Sequence, residues 1–272
     1  MHPALKEKLD LTINQKSFRI DVLTDLASLP EEKCKKLIDE FVELSYKTTG
    51  GTDWQSYQPA IEGWREYYNA VGARPQDYDQ LLLIYDQDLL VHFTGVTRFN
   101  IEPSYRLVWI RTAMTLKEYH GAGLLKTAIL FVISPEWGRR FWDVYFVIRT
   151  ANPIVYEATR NLMREYTADS NLEISLYPQI NKEGELDPVP GEIRDLAVLV
   201  TQRISPGCEF VPETFVNKGY FKSFGALYRE PVFPCHNPAT EQYFERVVDY
   251  SNQDGILILV RMQPRLTNID AH

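Results

Sequence analysis

A glycine-containing turn between a predicted strand and a predicted helix is the segment of this sequence best suited to bind a ligand. Gly121 and Gly123 lie within residues 115–125 (TLKEYHGAGLL), after a strand over 104–114 and before a helix over 123–133. The backbone N–H groups at such a turn lack partners within the helix, and the helix dipole adds partial positive charge. Because this combination binds phosphate, the turn predicts a ligand that carries a diphosphate.

The elements on either side of the turn predict a mixed sheet. Strands over 104–114 and 142–149 flank the helix over 123–133, and this βαβ unit is expected to be a right-handed parallel crossover. Before it, 81–85 and 89–99 are predicted to form a hairpin, which the strand over 104–114 extends as an antiparallel meander. We therefore predict an α/β (α+β) fold: a mixed, mainly antiparallel sheet with a central βαβ crossover and helices on both faces.

The N-terminal region is predicted to contain a short strand and two helices. The strand covers residues 18–23. Ser28 and Glu31 have the spacing of a capping box, so a helix is expected to begin there. A second helix is predicted from about Pro59. We interpret the large aromatic residues between 54 and 68 as core residues, and a role in lining an acceptor pocket is the weaker hypothesis.

The C-terminal third is predicted to belong to the same domain as the rest of the chain. A helix is expected to start at Asn237, and 255–262 (GILILVRM) is apolar enough to form a strand buried in the sheet. No linker, internal repeat or low-complexity segment interrupts the chain. The prediction is one domain over 1–272, with a core of about 18–166 and a C-terminal elaboration of about 167–272.

Composition and charge favour a globular protein and argue against a general nucleic-acid binder. The 272 residues are 44% hydrophobic and 24% charged, as in an ordinary globular domain. The net charge of −8 lacks the excess of Lys and Arg that a general nucleic-acid binder needs to neutralise phosphates. Three cysteines give no disulfide framework, the N-terminus lacks a signal-peptide core, and no apolar run could span a bilayer. We therefore expect a cytoplasmic protein that binds neither nucleic acid nor membrane.

Three features of the sequence resemble the GNAT superfamily of acyl-CoA-dependent N-acyltransferases. The first is the element order, helices followed by a three-strand meander and then βαβα, over roughly 18–166. The second is the turn, where the family has Gln or Arg, two residues, Gly, one residue, and Gly or Ala. His120, Gly123 and Leu125 occupy those positions here. The third is the segment Asn152–Tyr156, where the family often places an Asn and a Tyr.

The resemblance implies a reaction, a cosubstrate and a set of binding residues. The reaction is direct attack by an amine of a small molecule on the thioester carbonyl of acetyl-CoA or another acyl-CoA. The pyrophosphate would lie on the backbone N–H groups of the turn, and the edge of the preceding strand would pair with the pantetheine arm. The expected cofactor-binding residues are Met114, Thr115, His120, Gly121, Ala122, Gly123, Leu124, Leu125 and Asn152.

The same reaction needs two proton transfers, one from the amine and one to the departing thiolate. Tyr156 is the candidate acid, because the family often has a Tyr on this helix. His92 is the candidate base, since imidazole accepts a proton near neutral pH. Glu102, Glu118 and water chains are weaker candidates. Each of these residues also has a purely structural interpretation. Tyr156 could be a packed aromatic residue, His92 a hydrogen-bonded strand residue, and Asn152 the N-cap of the helix.

Other functional classes compete with acyl transfer. The segment 120–123 (HGAG) resembles the oxyanion loop of esterases, but 221–225 (FKSFG) lacks the first glycine of the nucleophile elbow. A non-catalytic GNAT-like protein that binds CoA without turnover is an alternative function, and His120 and Leu125 favour it.

The pair Cys235-His236 has no second pair at ligand spacing, so no metal site is predicted. The C-terminal third is expected to shape the acceptor site or an oligomer interface, such as that of a homodimer.

Overall fold

A computed structural model describes residues 5–48, 58–70, 72–101, 105–133, 143–169, 172–224 and 235–264. The chain divides into two compact units. Unit 1 comprises residues 1–98, 109–137 and 223–225, and unit 2 comprises residues 99–108, 138–222 and 226–272.

The described residues of unit 1 form most of five strands in sequential order and three α-helices. The strands are β1 (Leu5–Ile13), β2 (Lys16–Leu23), β3 (Gln80–Asp86), β4 (Leu89–Ile101) and β5 (Tyr105–Thr115), of which β4 and β5 each have a few residues in unit 2. The pairs β1–β2, β2–β3 and β3–β4 are antiparallel, so the predicted hairpin of β3 and β4 is confirmed. The helices are α1 (Glu31–Thr48), α2 (Gln58–Asn69) and α3 (Leu124–Ile133).

The first hairpin is longer than the sequence analysis predicted. The strand expected at 18–23 begins at Lys16 and pairs along its length with β1, which was not predicted. Asn14 and Gln15 connect the two strands with φ angles of 49° and 69°. Two successive residues with positive φ form the turn whose twist matches that of the flanking strands, and Asn is among the residues that tolerate this conformation.

The core of unit 1 is aromatic. Phe41 of α1 stacks on Phe93 of β4 with ring centroids 4.0 Å apart, and Tyr68 of α2 packs edge-on against both rings. The Tyr68 hydroxyl is hydrogen-bonded to Ser45 at 2.8 Å, so its polar atom is satisfied within the core. Trp64 and Tyr68 are buried, as interpreted from the sequence. Tyr67 is half-buried, and Trp54 and Tyr57 lie outside the described residues.

Unit 2 is built around the last strand. Its strands are β6 (Asp143–Thr150), β7 (Leu172–Tyr177), β8 (Phe210–Val211), β9 (Val216–Asn217) and β10 (Gly255–Pro264), and its helices are α4 (Pro153–Asp169), α5 (Gly191–Ile204) and α6 (Pro238–Val247). β10 pairs antiparallel with β6, β7 and β9. Its residues 256–260 are fully buried, which confirms the predicted burial of this strand.

The predicted fold class is confirmed: helices accompany a sheet whose described pairings are mainly antiparallel. The predicted order of strand, helix and strand from β5 through α3 to β6 is also confirmed. The strand β7 was not predicted, because its sequence LEISLY follows a charged, weakly patterned segment. Among the described residues, no helix combines the length and the apolarity that crossing a membrane requires.

Candidate functional site

The predicted turn connects β5 to α3 in unit 1, and we call residues 120–125 the glycine turn. Gly121 and Gly123 have φ angles of 80° and 84°, which a residue with a side chain adopts only with strain. The Ala122 amide donates to the Tyr119 carbonyl at 3.1 Å, and the Thr127 amide donates to the Gly123 carbonyl at 2.9 Å. These bonds fix the turn and begin the helix, and both glycines are required by the backbone conformation.

The space over the glycine turn is open. A Cβ atom built on Gly121 would meet nothing within 4 Å, and one built on Gly123 would meet only Ile13 Cγ2, at 3.6 Å. The amides of Leu124 and Leu125 belong to the first turn of α3, where no acceptor exists within the helix. Open backbone beside helical N–H groups is the arrangement that a phosphate group requires, so these residues fit the predicted pyrophosphate.

The side chains of the glycine turn have different surroundings. Leu124 is buried under the turn, whereas Ala122 and Leu125 are half-buried. His120 and Gly121 are exposed. Leu125 therefore does not belong to the core of unit 1, and its side chain lies at the start of α3, where the GNAT motif has Gly or Ala.

The end of β5 is anchored through the Thr115 carbonyl. This oxygen accepts hydrogen bonds from the Thr48 hydroxyl and from His120 Nε2, both at 3.0 Å. Because a carbonyl oxygen only accepts, the proton of a neutral His120 ring must lie on Nε2. His120 thus ties the beginning of the glycine turn to the strand before it. Met114 and Thr115, the predicted contacts of the pantetheine arm, are half-buried at this strand end.

His92 lies in β4 and is fully buried. Its Nδ1 is hydrogen-bonded to the Thr115 hydroxyl at 2.7 Å, and its Nε2 to the Thr94 hydroxyl at 2.8 Å. Burial lowers the pKa of His92 to about 3, because the charged ring is costly away from water. His92 is therefore neutral at physiological pH, weakly basic, and bonded to the end of β5.

The hairpin of β1 and β2 contacts the glycine turn, a relationship that sequence reasoning missed. Asn14 Nδ2 donates to the Ala122 carbonyl at 3.3 Å. Lys16 forms a 2.6 Å ion pair with Asp86 and donates to the Tyr119 hydroxyl at 3.4 Å. The Asp86 bond raises the pKa of Lys16, and the Lys16 bond lowers the pKa of Asp86. The Asn-Gln pair between two alternating segments could have indicated the hairpin, although not its contact with the turn.

A groove of about 290 Å³ lies between this hairpin and the glycine turn. It combines a half-exposed ammonium group and a carboxylate with two aromatic rings and aliphatic surface. Its lining residues are Ile13, Asn14, Lys16, Phe18, Glu118, Tyr119 and Ala122.

Two predicted site residues, Asn152 and Tyr156, lie at the start of α4 in unit 2. The Asn152 side chain accepts from the Ile154 amide at 2.9 Å, so the predicted N-cap role is confirmed. The Tyr156 hydroxyl is buried; it donates to the Pro178 carbonyl at 2.8 Å and accepts from the Ile180 amide at 3.1 Å. Burial raises the pKa of Tyr156 to about 12. Tyr156 is thus packed and hydrogen-bonded, as the structural alternative for this residue predicts. Its role as an acid stays a prediction.

The described residues contain no group of three or more His, Cys, Asp or Glu side chains that could hold a metal ion. Cys235 is buried, and His236 beside it is exposed.

No protein-family model matches the chain, and no curated protein matches it either. Several solved structures are similar to it in part. The PaiA N-acetyltransferase of Thermoplasma acidophilum, solved with coenzyme A, has a TM-score of 0.35 and 16% identity over 52% of this chain and 87% of its own. The diaminobutyrate acetyltransferase EctA of Paenibacillus lautus, solved with L-2,4-diaminobutyric acid and coenzyme A, has a TM-score of 0.34 and 14% identity over 62% and 87%.

The GNAT domain of S. lividans PAT has a TM-score of 0.37 and 10% identity over 57% of this chain and 86% of its own. Two of these three structures are named as acetyltransferases, and the third is named as a GNAT domain. All three TM-scores are below 0.4, and all three identities are below 20%.

Proposed function

We propose that the chain is an acyl-CoA-dependent N-acyltransferase that transfers an acyl group, acetyl by preference, to an amine of a small molecule. The observation that carries the proposal is the glycine turn: two glycines with positive φ and open space above them, between a strand end and a helix N-terminus. The proposed reaction is the one that the family resemblance implies. The glycine turn is a site that fits the diphosphate of the cosubstrate.

The groove beside the glycine turn supports a place for the nucleotide end of the cosubstrate. Lys16 is half-exposed there and offers positive charge, while the half-buried Tyr119 offers a ring surface beside which a base can pack. The Asp86 carboxylate holds Lys16 at 2.6 Å and fixes the position of its ammonium group. We therefore place the pyrophosphate on the turn and the adenosine portion toward this groove.

In the proposed reaction the amine nitrogen forms a bond to the thioester carbonyl carbon, and the carbon–sulfur bond breaks. The amine loses one proton and the departing thiolate gains one, so the products are an amide and the free thiol of CoA. Tyr156 is the proposed acid for the thiolate. The proposed base is His92, whose neutral ring can accept a proton but whose low basicity makes water-mediated removal the competing route.

Titration calorimetry with acetyl-CoA and with CoA tests the binding site. The test variant is Gly121→Asn. Asparagine tolerates a positive φ better than most residues, and its side chain would occupy the open space of the turn. The matched control is Gly207→Asn, because Gly207 also has a positive φ, of 86°, with nothing within 4 Å of a built Cβ. We expect saturable binding by the wild type and the control, and a loss of at least about tenfold in affinity for Gly121→Asn. Equal affinities in all three proteins would contradict the assignment of the turn.

Turnover is tested separately, by release of the CoA thiol in the presence of a panel of small amines. Thiol release that depends on both acetyl-CoA and an amine supports the acyltransferase. Binding of CoA without release for any amine would favour the non-catalytic alternative, for which Leu125 at the Gly or Ala position of the motif is the structural reason.

A further inference from the structure

Arg149 is a buried cation without an anionic partner among the described residues. It lies near the end of β6 and is 9% exposed. Its Nη1 donates to the Ser205 hydroxyl, and the Arg149 side chain is also hydrogen-bonded to Tyr220. Its Nε and Nη2 atoms are buried and have no hydrogen-bond partner in the described part of the chain. Burial lowers the pKa of Arg149 from its usual range, since removing a guanidinium from water is costly. A charge in such surroundings is normally paired.

The two unpartnered nitrogens have a specific geometry. Nε and Nη2 lie on the same edge of the planar guanidinium group, and their N–H bonds point in the same direction. This edge matches the two oxygens of a carboxylate, which accept two parallel hydrogen bonds from it. The opposite side of the group is already occupied by the Ser205 hydroxyl, at the C-terminal end of α5. The free edge is therefore the one suited to an oxyanion.

A second unpartnered polar side chain lies on the same face of the sheet in unit 2. Asn217 of β9 is opposite Gly255 of β10, and Arg149 of β6 is opposite Leu257 of β10. Residues two apart on one strand share a face, and directly opposed residues share it too, so Arg149 and Asn217 lie on one face. Asn217 is fully buried, and both polar atoms of its side chain lack partners among the described residues.

The guanidinium group is covered by residues at the surface of unit 2. The Tyr220 ring lies over it, with the ring centroid 4.3 Å from the guanidinium carbon. The segment from Ser205 to Cys208 passes beside it and contains the exposed Gly207, whose φ is 86°. Access to the free edge therefore requires Tyr220 or this segment to move, which restricts a ligand to small size.

The charge of the surroundings favours a monoanion. Asp254 and Glu209 are carboxylates close enough to affect this cluster, since both raise the pKa of Cys208, which also interacts with Arg149. Asp254 is itself paired with the Lys218 ammonium group and the Gly219 amide, each at 2.8 Å. Glu209 is exposed to water, which screens its charge, so the positive charge of Arg149 is the one left uncompensated among the described residues. A single carboxylate matches it, whereas a phosphate dianion would leave an excess negative charge.

We propose that Arg149 binds a small monocarboxylate through Nε and Nη2, in a site completed by Ser205, Tyr220 and Asn217. This site is independent of the glycine turn and of the proposed acyl transfer. The carboxylate would receive two charge-assisted hydrogen bonds and remove the uncompensated charge, so binding also stabilises the folded chain.

Fluorine NMR with trifluoroacetate as the probe tests the site in the full chain. We expect saturable line broadening with the wild type, reversed by added formate. Arg149→Met should abolish it, and Arg149→Lys, which keeps the charge but loses the fork, should weaken binding by at least about tenfold. The control is Arg203→Met, because Arg203 is an exposed arginine in the last turn of α5, two residues from Ser205.

The outcomes separate a built site from surface attraction. Binding retained by Arg203→Met but lost or weakened by the Arg149 variants supports the proposal. Equal broadening in all four proteins, or loss in Arg203→Met alone, overturns it, as does a wild type that shows no saturable response. If Arg149→Met fails to fold by circular dichroism, Arg149→Lys and the formate competition in the wild type decide the question.

Discussion

The Asn14 side-chain amide donates a hydrogen bond to the Ala122 carbonyl at 3.3 Å, across 108 residues of sequence. The donor is at the tip of the first hairpin, and the acceptor lies between the two glycines of the turn that we propose as the phosphate site. Ile13, its neighbour, is the residue nearest to a Cβ built on Gly123. The hairpin therefore supports the backbone on which the proposed function depends.

The first prediction concerns this contact. Asn14→Gly should raise the KM for acetyl-CoA roughly 2- to 10-fold and leave kcat nearly unchanged. Glycine adopts the positive φ of 49° at this position, so the variant removes one hydrogen bond worth about 0.5–1.5 kcal/mol from the support of the turn without straining the hairpin. Steady-state kinetics with the best amine of the panel measures the split. Ser17→Ala, at an exposed position of the same hairpin, is the control and should leave both constants unchanged. A fall in kcat at constant KM would contradict the positioning role.

A second prediction compares two glycines whose Cβ atoms would meet nothing within 4 Å. Gly63 is in α2, so Gly63→Ala should raise the free energy of unfolding by about 0.5–1 kcal/mol, because alanine loses less backbone entropy on folding. Gly121 has a φ of 80°, so Gly121→Ala should lower the free energy of unfolding by roughly 1–2 kcal/mol. Urea denaturation measures both. The same sign for the two variants would show that φ does not explain the glycine at 121.

A third prediction follows from the buried His92. Its folded-state pKa of about 3 lies below the usual 6.5, so the unfolded state binds the proton more tightly between these values. The contribution of neutral His92 to stability is therefore complete above pH 6.5 and is lost as the pH falls toward 3, at up to about 1.4 kcal/mol per pH unit.

Urea denaturation at a series of pH values from 7 to 4 measures this dependence. His92→Gln should flatten the curve of unfolding free energy against pH. His236→Gln, at an exposed position, should keep the slope of the wild type. Identical slopes in the wild type and His92→Gln would rule out His92 as the source.

The fourth prediction separates two roles of Tyr156. Tyr156→Phe leaves the Pro178 carbonyl and the Ile180 amide without their buried partner, so it should lower the free energy of unfolding by about 1–3 kcal/mol. If Tyr156 is also the acid, kcat should fall with little change in the KM for acetyl-CoA.

Tyr243→Phe is the matched control for that variant, because the buried Tyr243 hydroxyl donates to a backbone carbonyl, that of Thr214, at 2.7 Å. It should destabilise the chain without affecting kcat. Wild-type turnover in a folded Tyr156→Phe protein would remove Tyr156 from the mechanism and leave only its structural role.

Much of the local structure could be predicted because it depends on neighbouring residues. The apolar residues of α1 recur at helical spacing, and they are buried as that spacing requires. Asn152 before Pro153 indicated the start of α4, and its side chain caps that helix. In contrast, β1 was not predicted, although residues 9–13 (LDLTI) of its sequence LKEKLDLTI alternate as in a half-buried strand.

The sequence by itself determined the glycine turn, since a positive φ at Gly121 and Gly123 is a property of the residue and of its immediate neighbours. Only the tertiary structure decided what surrounds that turn and which polar groups are left without partners. The Asn14 contact with Ala122 and the unpaired edge of Arg149 both depend on residues brought together from distant positions. A single sequence encodes local dihedral preferences and apolar faces, but it does not specify which distant side chain satisfies a given hydrogen bond.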